Sequence, residues 1–199
     1  MEELKFYSLF NFGLTKSQEK RATFLHKKSI IVDMHYGGPI IYNRCLINFL
    51  KKLIRQKKTL PQIINKINQI RTKMIIKGEL PEYKRIWDVS GVTIGCKTVG
   101  IFDNSPYFFT FKKTLQDIEL TSPEITNLNW LNKITRYEDI INTKRLNRHG
   151  FILKLENTTQ LGLNFKRKID LLYNLGVRII QLTYNTKNNV GCGHMTLED

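Results

Sequence analysis

The chain has 199 residues, and 32 Lys and Arg against 17 Asp and Glu give it a formal charge of +15. That length allows one domain with a substantial core. The basic residues are scattered (Lys27-Lys28, Lys51-Lys52, Lys57-Lys58, Lys112-Lys113, Lys166 to Lys168) rather than gathered, which argues for a solvated exterior and against specific nucleic-acid binding.

Cys45, Cys96 and Cys192 lie far apart with no C-x-x-C spacing, so free thiols in a reducing compartment are expected. No apolar run reaches the 18 or so residues of a membrane span. Met1-Glu2-Glu3 is acidic where a signal peptide would be basic. The expected location is cytoplasmic.

In chain order, residues 1–15 carry Phe6, Tyr7, Phe10 and Phe12 without a period, and read as an irregular arm. Ser17 is a candidate cap for a helix over 18–27, so 1–28 forms an arm-and-helix unit before the main domain of 29–199. A strand is predicted over 29–33, and Gly37-Gly38-Pro39 breaks the chain after it. Helical spacing returns at Leu46, Phe49, Leu50 and Leu53, then at Ile63, Ile64, Ile67, Ile70 and Met74. Pro61 suits the first turn of that second helix, and Gly78 ends it.

A second strand is predicted over 91–98. Loop residues with a short helix are expected over 103–123, then a helix over 128–137. The stretch from Gly150 to Gly193 is the most informative. Phe151-Ile152-Leu153 runs into Lys154-Leu155-Glu156-Asn157, and Val177 to Leu182 runs into Thr183-Tyr184-Asn185. Short, near-continuous apolar runs mark parallel strands covered on both faces. Between them Phe165, Ile169, Leu172 and Tyr173 fall at helical spacing, with Gly176 as a left-handed stop. This is a βαβ unit with polar residues at the carboxyl ends of its strands, where α/β enzymes keep their chemistry.

The segment Leu175 to Asn185 (LGVRIIQLTYN), the following N-x-V-G-x-G, the glutamate-bearing strand end at Glu156 and Asp33-Met34-His35 together resemble the membrane (renal) dipeptidase family of zinc peptidases. The resemblance covers roughly residues 28–199, with Trp87 to Gly100 as a weaker link. It implies an α/β fold, the first four strands of a (β/α)8 TIM barrel, and metal-dependent hydrolysis of dipeptides or short amides at a zinc centre.

Carried over residue by residue, it places His35 and Glu156 on the metal and Tyr184 on the substrate. The family's second ligand in H-x-D falls on Gly37, which has no side chain to donate. Classical members carry histidine where Tyr184 stands; tyrosine still donates a hydrogen bond but does not shuttle protons near neutral pH. The residues alone also allow His35 as an ordinary loop residue, Glu156 as an exposed acid held by Lys154 or Arg178, and Tyr184 as a strand-end aromatic.

A complete barrel of this type runs to roughly 250 residues. The chain therefore reads as an amino-terminal half, a fragment or truncated form, with no activity expected from residues 1–199 alone. Unpaired edges would favour homodimers or self-association. A non-catalytic relic or binding module of the same fold is the alternative reading, and a nucleic-acid-binding protein a weaker third.

Overall fold

The computed structural model describes residues 12–100 and 111–196. Most of the proposed arm and the start of the proposed 103–123 loop fall outside these residues. The first element is helix α1 (Lys16–Lys28). It is capped not by Ser17 but by Thr15, whose hydroxyl accepts from the Gln18 backbone N–H while the Gln18 side chain accepts from the Thr15 N–H. That reciprocal pair satisfies two N–H groups which the first turn leaves unpaired, and it moves Ser17 inside the helix.

Strand β1 (Val32–Asp33) is followed by α2 (Arg44–Arg55), which Asn43 caps through Leu46 N at 3.0 Å. Helix α3 (Leu60–Ile76) has Pro61 in its first turn, where a missing N–H costs nothing, and the chain leaves it through Gly78 at φ +73°. Helix α4 (Glu82–Ser90) occupies the run before the second strand, and β2 (Ile94–Thr98) starts three residues later than the composition suggested.

Two expectations are corrected in the next stretch. Helix α5 (Phe111–Asn127) runs straight through Pro123, so the described part of the segment expected as loop with a short helix is helix throughout. The Thr121 and Ser122 hydroxyls donate to the carbonyls of Asp117 and Ile118, four residues back, which suits a helix that also carries a proline. The proposed helix over 128–137 is instead a turn, the short strand β3 (Leu131–Lys133), and the approach to helix α6 (Tyr137–Arg145). Leu131 and Ile134, three residues apart, are both 2% exposed. That spacing imitates a helix face, but the backbone of β3 pairs with its neighbour instead.

Strand β4 (His149–Leu155) is the longest, followed by a single 3-10 turn (Thr159–Leu161), α7 (Phe165–Leu175) and β5 (Val177–Ile180). Gly176, at φ +97°, ends α7 in the left-handed region as the sequence predicts.

Among the described residues all strand pairings are parallel. β1 pairs β2, and β2 pairs β4 from Ile94↔Gly150 to Thr98↔Lys154. On its other edge β4 takes β3 along its first half and β5 along its second. The four expected strands are present as β1, β2, β4 and β5, and β3 makes five among the described residues. The fold is α/β, a parallel sheet in which β1, β2, β4 and β5 follow one another in chain order and β3 shares an edge of β4, as part of a TIM-type barrel.

The period-two alternation of β4 sorts the molecule into two sides. Phe151, Leu153 and Leu155 are at most 2% exposed and form the apolar core with the helices. One cluster gathers around Trp87 with Leu46, Met74, Tyr83, Leu131 and Phe151, and a second gathers Val99, Ile118, Leu153, Leu155, Leu172 and Val177. Ile152 and Lys154 alternate onto the opposite face, and Glu156 continues that row.

Candidate functional site

The carboxyl ends of β1, β2 and β4 converge on a common polar cluster, to which β1 and β2 contribute one residue each and β4 two. His35 follows β1 by two residues, Thr98 is the last residue of β2, Lys154 is in β4 and Glu156 follows it by one. His35 Nδ1 lies 3.5 Å from Glu156 Oε1. Lys154 Nζ is 3.2 Å from that carboxylate oxygen and 3.3 Å from His35 Nδ1. Thr98 Oγ1 donates to Glu156 Oε1 at 2.6 Å.

Burial divides the cluster into a base and a lid. Glu156 and Lys154 are each only 7% exposed, so an ammonium and a carboxylate form a buried pair beneath the sheet's end. A buried carboxylate must be hydrogen-bonded or neutralised, and Thr98 and Lys154 do both. The His35 side chain is 80% exposed. It sits on top of the pair, as the member solvent or a ligand meets.

The two contacts at His35 Nδ1 exclude each other. An ammonium only donates, so Nδ1 accepts from Lys154 when it carries no proton and donates to Glu156 when it does. The Lys154 contact is the shorter, and 3.5 Å is marginal for a hydrogen bond. The geometry therefore favours Lys154 bridging the carboxylate and an imidazole protonated at Nε2.

The loop after β1 is fixed from below. Asp33 Oδ1 accepts from the His35 backbone N–H at 2.9 Å, and the Gly37 carbonyl accepts from Lys97 Nζ at 3.3 Å. Lys97 also reaches Glu124 Oε2 at 3.4 Å and lies 4.9 Å above the Phe151 ring. Glu124, 2% exposed, accepts further from Thr72 at 2.9 Å and Tyr83 at 3.1 Å. Gly38, at φ +87°, must stay a glycine: a Cβ there would meet the Tyr83 hydroxyl at 2.6 Å. Gly37 is different, since a Cβ there would make only ordinary contacts with Lys97.

Titration follows from this packing. Burial, reinforced by the Asp33 charge, pushes the Tyr36 hydroxyl up to about 12. Burial also pushes the Cys96 thiol up, against the pull of the nearby Lys154 charge. Cys96 Sγ lies 3.7 Å from Met34 Sδ.

Tyr184 is not at the end of a strand. β5 stops at Ile180, and Tyr184 lies in the loop that follows, its ring 6.3 Å from that of His194. The loop closes on itself through His194 N to Tyr184 O and Met195 N to Asn185 O, both 3.0 Å. Tyr184 makes no contact with the His35–Glu156 cluster among those the described residues show. Glu156 is held by Lys154, as one reading of the sequence had it, but is buried rather than exposed. Arg178 plays no part, donating instead to the carbonyls of Thr135 and Tyr173. Thr98 was missed, although its register opposite Lys154 puts both on one face of the sheet.

The residues present do not fit a zinc centre. A catalytic zinc takes three protein ligands and an open position. Among the described residues, no group of three or more His, Cys, Asp or Glu is placed to hold a metal ion. His35 and Glu156 supply two donors, Gly37 supplies none, and the Lys154 ammonium already touches both donor atoms. Two unit charges about 4 Å apart at an effective dielectric of 20 repel by about 4 kcal/mol, and a dication doubles the effect.

Among the described residues no helix is long and apolar enough to cross a membrane. The family model described as "Membrane dipeptidase (Peptidase family M19)" matches residues 19–198. No curated protein matches the chain. Among solved structures, an amidohydrolase from Pseudomonas aeruginosa aligns with a TM-score of 0.54 at 19% identity, over 87% of this chain and 40% of that one. At that identity the likeness speaks for the fold, and this chain spans well under half the length of that structure. The match across nearly all of the sequence, over the same residues that build the parallel sheet and its polar strand ends, makes this chain a member of the membrane dipeptidase family, peptidase family M19.

Proposed function

We propose that the protein is a hydrolase of the dipeptidase type acting on short peptides or similar small amides, and that His35, Lys154 and Glu156 are the part of its site carried by this chain. One observation supports this above the others: a buried ammonium and a buried carboxylate from the end of β4 meet an exposed imidazole from the loop after β1 at the carboxyl end of a parallel sheet, where α/β enzymes hold their substrates.

Amide hydrolysis needs a water that gives up a proton, a polarised carbonyl and a proton for the leaving amine. His35 is the exposed member, and an imidazole is the side chain best suited to passing a proton in such a reaction. Lys154 supplies positive charge behind it, suited to a carbonyl oxygen that gains negative charge. Glu156, held by Thr98, anchors Lys154. Tyr184 is assigned to the substrate side, where its hydroxyl would donate to a bound peptide from the loop after β5. The family's zinc chemistry enters no step here, because the donor set does not fit the ion.

The second reading, a peptide-binding module of the same fold without hydrolysis, is favoured by the same two departures, Gly37 and the Lys154 contacts. One experiment separates them. The purified protein is assayed against a panel of dipeptides by amine release, with calorimetric binding alongside. Turnover that falls at least about a hundredfold in His35→Ala supports hydrolysis with His35 as proton carrier. Saturable dipeptide binding without turnover supports the module. Neither binding nor turnover sinks both.

A further inference from the structure

We propose that the Lys154 ammonium serves as a built-in cation at this strand end, holding His35 and Glu156 together and excluding a divalent metal ion from between them. The inference is independent of whether the protein hydrolyses peptides.

The argument rests on three atoms. Glu156 Oε1 and His35 Nδ1 are the donor atoms of these two side chains that face each other, and they lie 3.5 Å apart. Lys154 Nζ is 3.2 Å from one and 3.3 Å from the other, so it lies against both lone-pair sites at once. A metal ion placed to use both donors would have to displace the amine.

Displacement has a chemical obstacle. The Lys154 side chain is 8% exposed and springs from a central strand, paired with Thr98 on β2. Its charge would have to move out of the pair with Glu156 or remain beside the incoming dication. The other charges nearby do not relieve this. Lys97, the next basic residue on β2, is committed to Glu124 and the Gly37 carbonyl on the helix-facing side. Asp33 spends an oxygen on the His35 backbone. The Glu156 carboxylate is neutralised within the chain itself.

The arrangement makes Lys154 a positioning residue for His35 as well. By donating to Nδ1 it leaves the imidazole proton on Nε2, facing away from the pair. Removing the amine while keeping the length of the side chain should free both donors and expose a cation site that the native chain lacks.

The test uses the 199-residue protein and Co²⁺, followed by visible absorption, calorimetry and the His35 ring resonances in NMR spectra. Native protein is expected to show no stoichiometric Co²⁺ effect on the His35 resonances, and Glu156→Gln should leave its weak residual Co²⁺ binding unchanged. Lys154→Met should bind one Co²⁺ at least about a hundredfold more tightly than native protein, and the added Glu156→Gln should abolish that gain. Lys154→Arg, which keeps the charge, should behave as native.

Stoichiometric Co²⁺ binding by native protein that shifts His35 and is lost in Glu156→Gln would overturn the proposal. So would folded Lys154→Met with native-like Co²⁺ affinity. Should Lys154→Met fail to fold, the native-protein arm decides alone, because it asks directly whether the ion reaches His35.

Discussion

Thr98, the last residue of β2, donates a 2.6 Å hydrogen bond to the Glu156 carboxylate just past the end of β4. The register Thr98↔Lys154 makes that contact possible, because it places the donor, the ammonium and the carboxylate on one face of the sheet. Hydrogen bonds to charged groups contribute about 1.5–3 kcal/mol. Thr98→Val, which keeps the shape and removes the donor, should therefore lower stability by about 1–3 kcal/mol in urea unfolding. Thr98→Ser should retain most of it. Equal losses in both variants would mean that packing, not the hydrogen bond, is what Thr98 supplies.

Asp139 gives a pH-dependent prediction. Burial alone would raise its carboxyl value. The Thr135 and Arg136 backbone N–H groups and the Thr135 hydroxyl, all donating to Oδ2, outweigh burial and hold it below the ordinary 3.8. Because the folded value is depressed, the stabilisation is fully present above about 3.8 and is lost as pH falls through the lower folded value. Asp139→Ala should cost about 1 kcal/mol at pH 7, as loss of a helix cap does. The gap from native protein should close in acid. A gap that is constant down to pH 2 would show that the charge is irrelevant.

The thiols differ in accessibility. Cys96 is buried and its thiol is pushed up by that burial, whereas Cys45 is exposed and Cys192 intermediate. Reactivity follows thiolate content and access. With a disulfide reagent at neutral pH, Cys45 should react first and Cys96 only on unfolding. Mass mapping of a short reaction pulse checks the order; early labelling of Cys96 would contradict the burial of β2.

The strands, and the meeting of His35 and Glu156 at one end of the sheet, were legible because their signals are local. The runs ending at Asp33 and Glu156 are short, apolar and followed by polar residues, and chain direction alone puts their ends on one side of a parallel sheet. What remained hidden depends on pairing. Leu131 and Ile134 have helical spacing, yet β4 offers a free edge and the backbone takes it. Pro123 reads as a break until the hydroxyl bonds around it are seen. Tyr184 looked like a strand end because Gln181 to Thr183 continue the apolar-to-polar run, but β5 has already stopped at Ile180. Lys154 was counted as a surface partner for Glu156; its reach to His35 spans 119 residues of sequence, which no local pattern encodes.

Lys97 and Glu124 provide the last prediction. Glu124 is 2% exposed and Lys97 15% by side chain, so each is a buried charge that depends on the other. Thr72 and Tyr83 complete the carboxylate's partners, and burial with the Glu124 charge holds the Tyr83 hydroxyl well above its ordinary value. Removing one member of a buried pair typically costs about 3–5 kcal/mol, because the other is left uncompensated, while replacing both by apolar side chains costs far less. Glu124→Leu and Lys97→Met should each destabilise strongly, and the double variant should lose less than the sum of the two by about 1–3 kcal/mol. The singles should differ in a second respect. Lys97 also donates to the Gly37 carbonyl, so Lys97→Met should release the loop that carries His35, giving faster backbone amide exchange over residues 35–38. Losses that add to within about 0.5 kcal/mol would show the pair uncoupled, and unchanged exchange at residues 35–38 would show that Lys97 does not tether the loop.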